Sequence, residues 1–272
     1  MKTLASRLYI LYKRKYIFLR YNKTNYGEGE YIMKILIIRH AEPDYENNTL
    51  TNKGFVEAEY LSDKLQHSNI THIYSSPLNR AFLTAKPTAE KINKEVKICN
   101  WLTEFEGKIT LNNEKRIPWN MMPRIWQEEL EVFNIKTFKK SNLYSSENMP
   151  EKYEYVIEEF DKLLENHGAR RENIIYKGEN SNDTIAIFCH FALGMVLASH
   201  LTGISPILLW QTMFLPTSSV TEFVTEERVK GEFIFKCKQM GDTSHLYMKG
   251  EPVSNKGLYS EFFGGDGTGA RE

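Results

Sequence analysis

Cysteine is scarce: Cys99, Cys189 and Cys237 are the three in 272 residues, far apart and with no CxxC pair. An odd, scattered set speaks against a disulfide framework or a thiolate zinc site and fits small buried hydrophobes in a reducing cytoplasm. Long apolar runs are missing as well. No uninterrupted stretch approaches the ~20 residues a membrane helix needs, so no integral membrane segment is expected. Net charge is also absent, with 35 Lys+Arg against 35 Asp+Glu. There is no global field to attract a phosphate backbone, and no nucleic-acid partner is expected. Internal repeats of the solenoid kind are lacking.

The zero net charge hides an asymmetry. Residues 1–27 hold seven Lys or Arg and no acid, which leaves 28 basic and 35 acidic residues and a net of −7 for the rest. An anion site in that acidic body has to be built locally. The basic, aromatic segment 1–32 has two readings: an arm lying on an anionic surface, or an over-extended start with translation beginning at Met33. The second is favoured, because Gly27-Glu28-Gly29-Glu30 implies a purine-rich codon run shortly before Met33. The segment lacks the compact apolar stretch and cleavage site of a signal peptide.

From Lys34 onward, strands and helices alternate. KILIIRH (34–40) is a short continuous apolar run, as expected of a strand buried on both faces of a parallel sheet. Thr51 stands at an N-cap position, followed by Phe55, Ala58, Leu61 and Leu65 at helical spacing. HIYSS (72–76) predicts a second strand, and Phe82, Ala85, Ala89 and Ile92 a second helix. TIAIFCH (184–190) repeats the opening pattern of a buried strand ending in histidine, again with a helix after it. The rhythm predicts a three-layer α/β/α sandwich with a mostly parallel central sheet. Residues 107–150 break it and read as an inserted helical lid region. An amphipathic helix follows from 151 to a Gly168 stop. SVTEFVTEERVKGEFIFKCKQ predicts two antiparallel strands turning near Val229 to Gly231. The domain is placed at 33–263, with a flexible tail at 264–272.

In open α/β sheets, ligands bind at the carboxyl ends of the strands. That rule gathers Arg39 and His40 after the first strand, Arg80 beyond the second, Glu104 after a short extended segment and His190 after TIAIFC. Arginine offers a permanently charged fork suited to phosphate oxygens. Imidazole is a competent nucleophile near neutral pH. A carboxyl group with a raised pKa can protonate a leaving alkoxide and then draw a proton from water. The five together describe a phosphate site with a nucleophile and an acid.

At these residues the chain resembles the histidine phosphatases, also called the phosphoglycerate-mutase-like superfamily. Arg39-His40-Ala41 resembles the family's Arg-His-Gly, with alanine for glycine. LTNKGFVEAEYLSDKL, SSPLNRAFLTA with Arg80, WLTEFEG with Glu104, and FCHFALG with His190 resemble its later motifs, and PTSSVTEF and GDTSHLY its closing strands. The likeness spans roughly 33–263. The mutase branch carries tryptophan segments soon after the first histidine. EPDYENNTLTNKG is short and has none, which favours the phosphatase branch.

Singly, each residue has a plainer explanation. An Arg-His pair is commonly surface, a lone strand-end histidine commonly structural, and Glu104 alone a solvated carboxylate. Their joint placement carries the reading. His245 either packs behind the site or lies merely near it, while His67, His72, His167 and His200 read as structural or exposed. Trp119, Met122, Trp126 and Phe133 suit either a lid or a small core. The expected activity is metal-independent and cofactor-free hydrolysis of a small phosphorylated metabolite in the cytoplasm through a phosphohistidine. His40 would be nucleophile, Glu104 acid and base, and Arg39, Arg80 and His190 would hold phosphate. The alternatives are a mutase-type phosphoryl transfer and a non-catalytic module that binds a phosphorylated ligand. Nothing in the sequence bears on oligomeric state.

Overall fold

A computed structural model describes residues 33–179 and 181–256. The expectations for the 1–32 extension and the 264–272 tail lie outside them. An eight-stranded sheet forms the centre, and the two-residue strands β2 (Pro43–Asp44) and β3 (Thr49–Leu50) pair separately in the loop after His40. Its first half is parallel: β1 (Lys34–Arg39) pairs with β10 (Thr184–Cys189), β10 with β4 (His72–Ser75), and β4 with β5 (Val96–Ile98). On its other side β1 pairs antiparallel with β11 (Val220–Val229), and β12 (Glu232–Asp242), β9 (Ile175–Lys177) and β8 (Arg170–Glu172) extend the sheet outward. The parallel core matches expectation, and β10 is buried at every position, as its unbroken apolar run requires.

Alternate side chains of the central strands feed two cores. Leu36, Ile38, Ile73, Ala186 and Phe188 pack under α1 (Asn52–Leu65) and α2 (Asn79–Ile92). Ile35, Ile37, Ile185, Ile187 and Cys189 pack against α4 (Met149–Asn166), α5 (Phe191–Thr202) and α6 (Pro206–Thr212). Thr51 caps α1, its hydroxyl accepting the Gly54 N–H at 3.0 Å. Phe55, expected in the core, is 47% exposed, while Gly54, Ala58 and Leu61 face inward. Gly54 is needed there: a Cβ would lie 2.2 Å from the carbonyl oxygen of Glu42, in the loop that follows His40.

The inserted region corrects the sequence reading. It opens as a hairpin, β6 (Ile109–Leu111) and β7 (Glu114–Arg116), and then holds the four-residue α3 (Pro123–Trp126) and two single-turn 3₁₀ segments. Asn112 and Asn113 both take positive φ, 54° and 64°, the backbone of a tight hairpin turn. Trp126 is buried and Trp119 packs on the core, whereas Met122 and Phe133 are exposed. The region therefore shares the α4–α5 core through Trp119 and Trp126.

The GDTSHLY stretch differs as well. β12 ends at Asp242, and His245 belongs to α7 (Ser244–Lys249). Asp242 ends the strand by accepting the Ser244 N–H at 2.8 Å. Cys237 is exposed, against the expectation of burial: it lies in the middle of β12, where Lys236, Cys237, Lys238 and Gln239 are all exposed.

Candidate active site

Sheet register assembles the site. Arg39 is level with Cys189, and Phe188 with Ser75, so Ser76 falls in the Arg39–Cys189 row at the carboxyl ends and His40 and His190 stand one step beyond it. Backbone bonds fix these two rows: His40 N–H donates to the Cys189 carbonyl and Ser76 N–H to that of Phe188, both at 2.9 Å. The two imidazole rings lie 5.1 Å apart, centre to centre.

His40 is buried, and its Nδ1 lies 2.8 Å from the carbonyl oxygen of Ala41. A carbonyl only accepts, so Nδ1 carries the proton and Nε2 keeps its lone pair. Burial, with Arg39 and Arg80 adding to it, holds the His40 pKa well below the ordinary histidine value. The ring is neutral and nucleophilic. His190 is held neutral by burial, then by His40 and the same arginines. Its Nε2 lies 2.8 Å from the Ser76 hydroxyl, which also accepts the Leu78 N–H at 3.2 Å. With Ser76 donating to Nε2, the His190 proton sits on Nδ1. Ala41 in place of glycine is accommodated: its N–H donates to Thr84 Oγ1 at 2.9 Å.

Arg39 is buried, and its Nη1 donates to the Leu215 carbonyl at 2.5 Å. Arg80, the second residue of α2, is half-buried. The Nε atoms of both arginines and Nδ1 of His190 are buried with no hydrogen-bond partner. Such orphans are uncommon in a folded chain and mark a place for an acceptor.

Glu104 follows β5 and the short 3₁₀ turn Asn100–Leu102. Its Oε1 accepts the N–H groups of Phe105 at 2.9 Å and Leu193 at 3.1 Å. Leu193 lies in the first turn of α5, whose N-cap His190 makes no side-chain cap bond, so Glu104 caps that helix from outside. Burial raises the Glu104 pKa above the ordinary carboxyl value, against the pull of those two N–H groups and of Arg80 and Arg39.

All five predicted residues therefore meet at the sheet rim. His245 packs behind them, its Nε2 3.0 Å from Ser218 Oγ, while Ser218 N–H donates to the His40 carbonyl at 3.1 Å. Sequence reasoning missed Glu57, which is fully buried in α1. It accepts the Glu42 N–H at 2.9 Å and the Thr217 hydroxyl at 3.1 Å, tying both loops that flank His40. Its pKa is raised by burial. A carboxylate on the inward face beside Ala58 was the available signal.

Among the described residues, one set of side chains could hold a metal ion: His72, His167 and Asp183. It lies at the amino ends of β4 and β10, opposite the rim that carries His40 and His190, and is already linked internally. His167 Nδ1 donates to Asp183 Oδ2 at 2.8 Å, and its Nε2 meets the Tyr74 hydroxyl at 2.9 Å. His200 likewise bonds Asp161, at 2.7 Å, and His67 is exposed.

The chain belongs to the histidine phosphatase superfamily (branch 1), whose model matches residues 35–232. It is 41% identical over 75 residues to a 2,3-bisphosphoglycerate-dependent phosphoglycerate mutase of Thermoplasma acidophilum, and 34% identical over 74 residues to phosphoserine phosphatase 1 of Hydrogenobacter thermophilus. Each match covers 24% of this chain, and they span 38% and 35% of those two relatives. In fold it is similar to a histidine-to-alanine variant of phosphoserine phosphatase from Entamoeba histolytica in complex with phosphoserine. That likeness has a TM-score of 0.50 at 20% identity and covers 79% of this chain and 99% of the other.

Proposed function

We propose that this chain is a phosphomonoesterase acting through a phosphohistidine on a small phosphorylated metabolite. The observation that carries the reading is the ring of unpartnered buried donors, Arg39 Nε, Arg80 Nε and His190 Nδ1, around a neutral His40. Arginines and a histidine N–H suit the spread negative charge of a transferring phosphoryl group. His40 Nε2 attacks phosphorus as the ester oxygen leaves, taking the proton of Glu104. Water then attacks the phosphohistidine, gives its proton to Glu104 and releases phosphate, restoring both residues. The positive charge a metal would bring is supplied by the two arginines, so chelation leaves the rate unchanged. Unpaired cysteines fit a cytoplasmic location.

Hydrolysis is favoured over mutase transfer by the fate of the nearest basic group after His40. Lys53 is held by Glu251, at 2.5 Å, and by the Pro252 carbonyl, while Glu42 bonds Thr51 and Ser254. The nearest basic side chain after His40 is thus committed elsewhere among the described residues, and the segment between the two carries Glu42, Asp44 and Glu46, which favours water as the acceptor. Phosphate release from p-nitrophenyl phosphate by the purified chain, lost in His40→Ala, tests the reading. Conversion of 3-phosphoglycerate to its 2-isomer faster than phosphate appears would replace it with the mutase.

A further inference from the structure

Both arginines of the rim are faced by aromatic rings. The guanidinium carbon of Arg39 lies 5.7 Å from the centre of Phe191 and 5.6 Å from that of Phe214, two rings 6.4 Å apart. That of Arg80 lies 5.4 Å from the centre of Tyr45. Chain position sets these contacts. Phe191 follows His190 directly and opens α5, while Phe214 directly precedes Leu215, whose carbonyl holds Arg39. Rings that only braced an arginine would be buried with it. Instead Phe191 and Phe214 are half-buried and Tyr45 is 49% exposed, and Met213 continues the apolar surface outward.

The charges around the reacting groups are few. Among the described residues, Arg39 and Arg80 are the cations that act on His40, His190 and Glu104. The phosphoryl oxygens engage both, and Lys53 is held by Glu251. Among the described residues, a leaving group bearing its own carboxylate would meet aromatic walls and Glu104, with both arginines already engaged.

We propose that the site selects phosphomonoesters whose alcohol part is apolar and ring-bearing, stacked against Phe191 and Phe214, over phosphates of hydroxy acids or amino acids. The inference rests on the hydrolase reading above. Aromatic stacking adds roughly 2- to 10-fold per ring to binding.

The test compares esters of unactivated alcohols, so that leaving-group chemistry does not decide the outcome: 2-phenylethyl phosphate, O-phosphoserine and 3-phosphoglycerate, with p-nitrophenyl phosphate reporting catalytic competence. The expected kcat/KM for 2-phenylethyl phosphate exceeds that of either acid by about 10-fold or more. Phe191→Ala and Phe214→Ala should each shrink that ratio, mainly through KM, while inhibition by inorganic phosphate reports any effect on Arg39 that is common to all three esters. Phe214→Leu, which keeps apolar bulk, should fall between, and circular dichroism confirms folding. Equal or better turnover of phosphoserine or 3-phosphoglycerate, or a ratio unmoved in both alanine variants, overturns the inference and leaves the hydrolase reading standing. Failure of even p-nitrophenyl phosphate overturns both.

Discussion

Glu104 accepts the backbone N–H of Leu193 at 3.1 Å, so the carboxyl assigned to proton transfer also caps the helix that begins beside His190. The two duties separate by substitution. Glu104→Gln keeps an oxygen for the cap but has no proton to give. It should melt near the wild type and hydrolyse alkyl phosphates about 10²–10⁴-fold more slowly, with p-nitrophenyl phosphate spared. Glu104→Ala should in addition lose about 1 kcal/mol of stability. Melting curves and kcat for both substrates decide it, and full alkyl-phosphate turnover by Glu104→Gln would remove Glu104 from the chemistry.

The same carboxyl shapes the pH profile. The proposed mechanism requires neutral His40, whose pKa burial and the arginines hold well below the ordinary value, and protonated Glu104, whose pKa burial raises. The kcat/KM for an alkyl phosphate should therefore fall as pH rises through the Glu104 pKa, which burial places above the ordinary carboxyl value. In Glu104→Gln the alkaline limb should disappear, which a pH series on both proteins measures.

Stability should fall on acidification. His40, His72, His190, His200 and His245 all have pKa values lowered first of all by burial, His245 to about 4. Unfolded histidines protonate near pH ~6.5. Below that the unfolded chain binds more protons than the native one, and stability complete above pH ~6.5 is progressively lost. Glu57 and Glu104, with raised values, act the opposite way but are fewer. The melting temperature at pH 5 should lie below that at pH 7.5, with added phosphate restoring part of it. A flat or rising series would contradict the burial of neutral histidines.

Much of this site was legible in advance, and the reason is periodicity. Two strands buried on both faces, each ending in histidine, have to place those histidines at the same rim, and SSPLNR and WLTEFEG lead off the neighbouring strands. What escaped lacked a repeating signal. The Asn112–Asn113 hairpin is three residues a side, and the Arg170–Glu172 and Ile175–Lys177 pair turns at Asn173, also at positive φ. α7 has six residues, too short to show a helical period. The supporting role of Glu57 depends on loops far off in sequence, Glu42 and Thr217, which no local pattern joins to it.

Glu57 yields its own prediction. Glu57→Ala would leave the Glu42 N–H and the Thr217 hydroxyl without an acceptor, at about 1–3 kcal/mol for each group left buried. Melting should drop by roughly 2–4 °C per kcal/mol. The rate should fall too, because both loops border His40. Glu57→Gln, which retains an acceptor, should lie between. An alanine variant as stable and active as the wild type would show that the loops hold their positions unaided.

The covalent intermediate is most directly reached by rapid acid-free quenching during turnover of a substrate carrying radiolabelled phosphate, followed by peptide mapping. The expected result is a label that is acid-labile and alkali-stable, resides on the peptide containing His40 and is absent from His40→Ala, which remains folded. No trapped label with native turnover retained in His40→Ala, or a label that persists in that variant, would contradict His40 as the nucleophile.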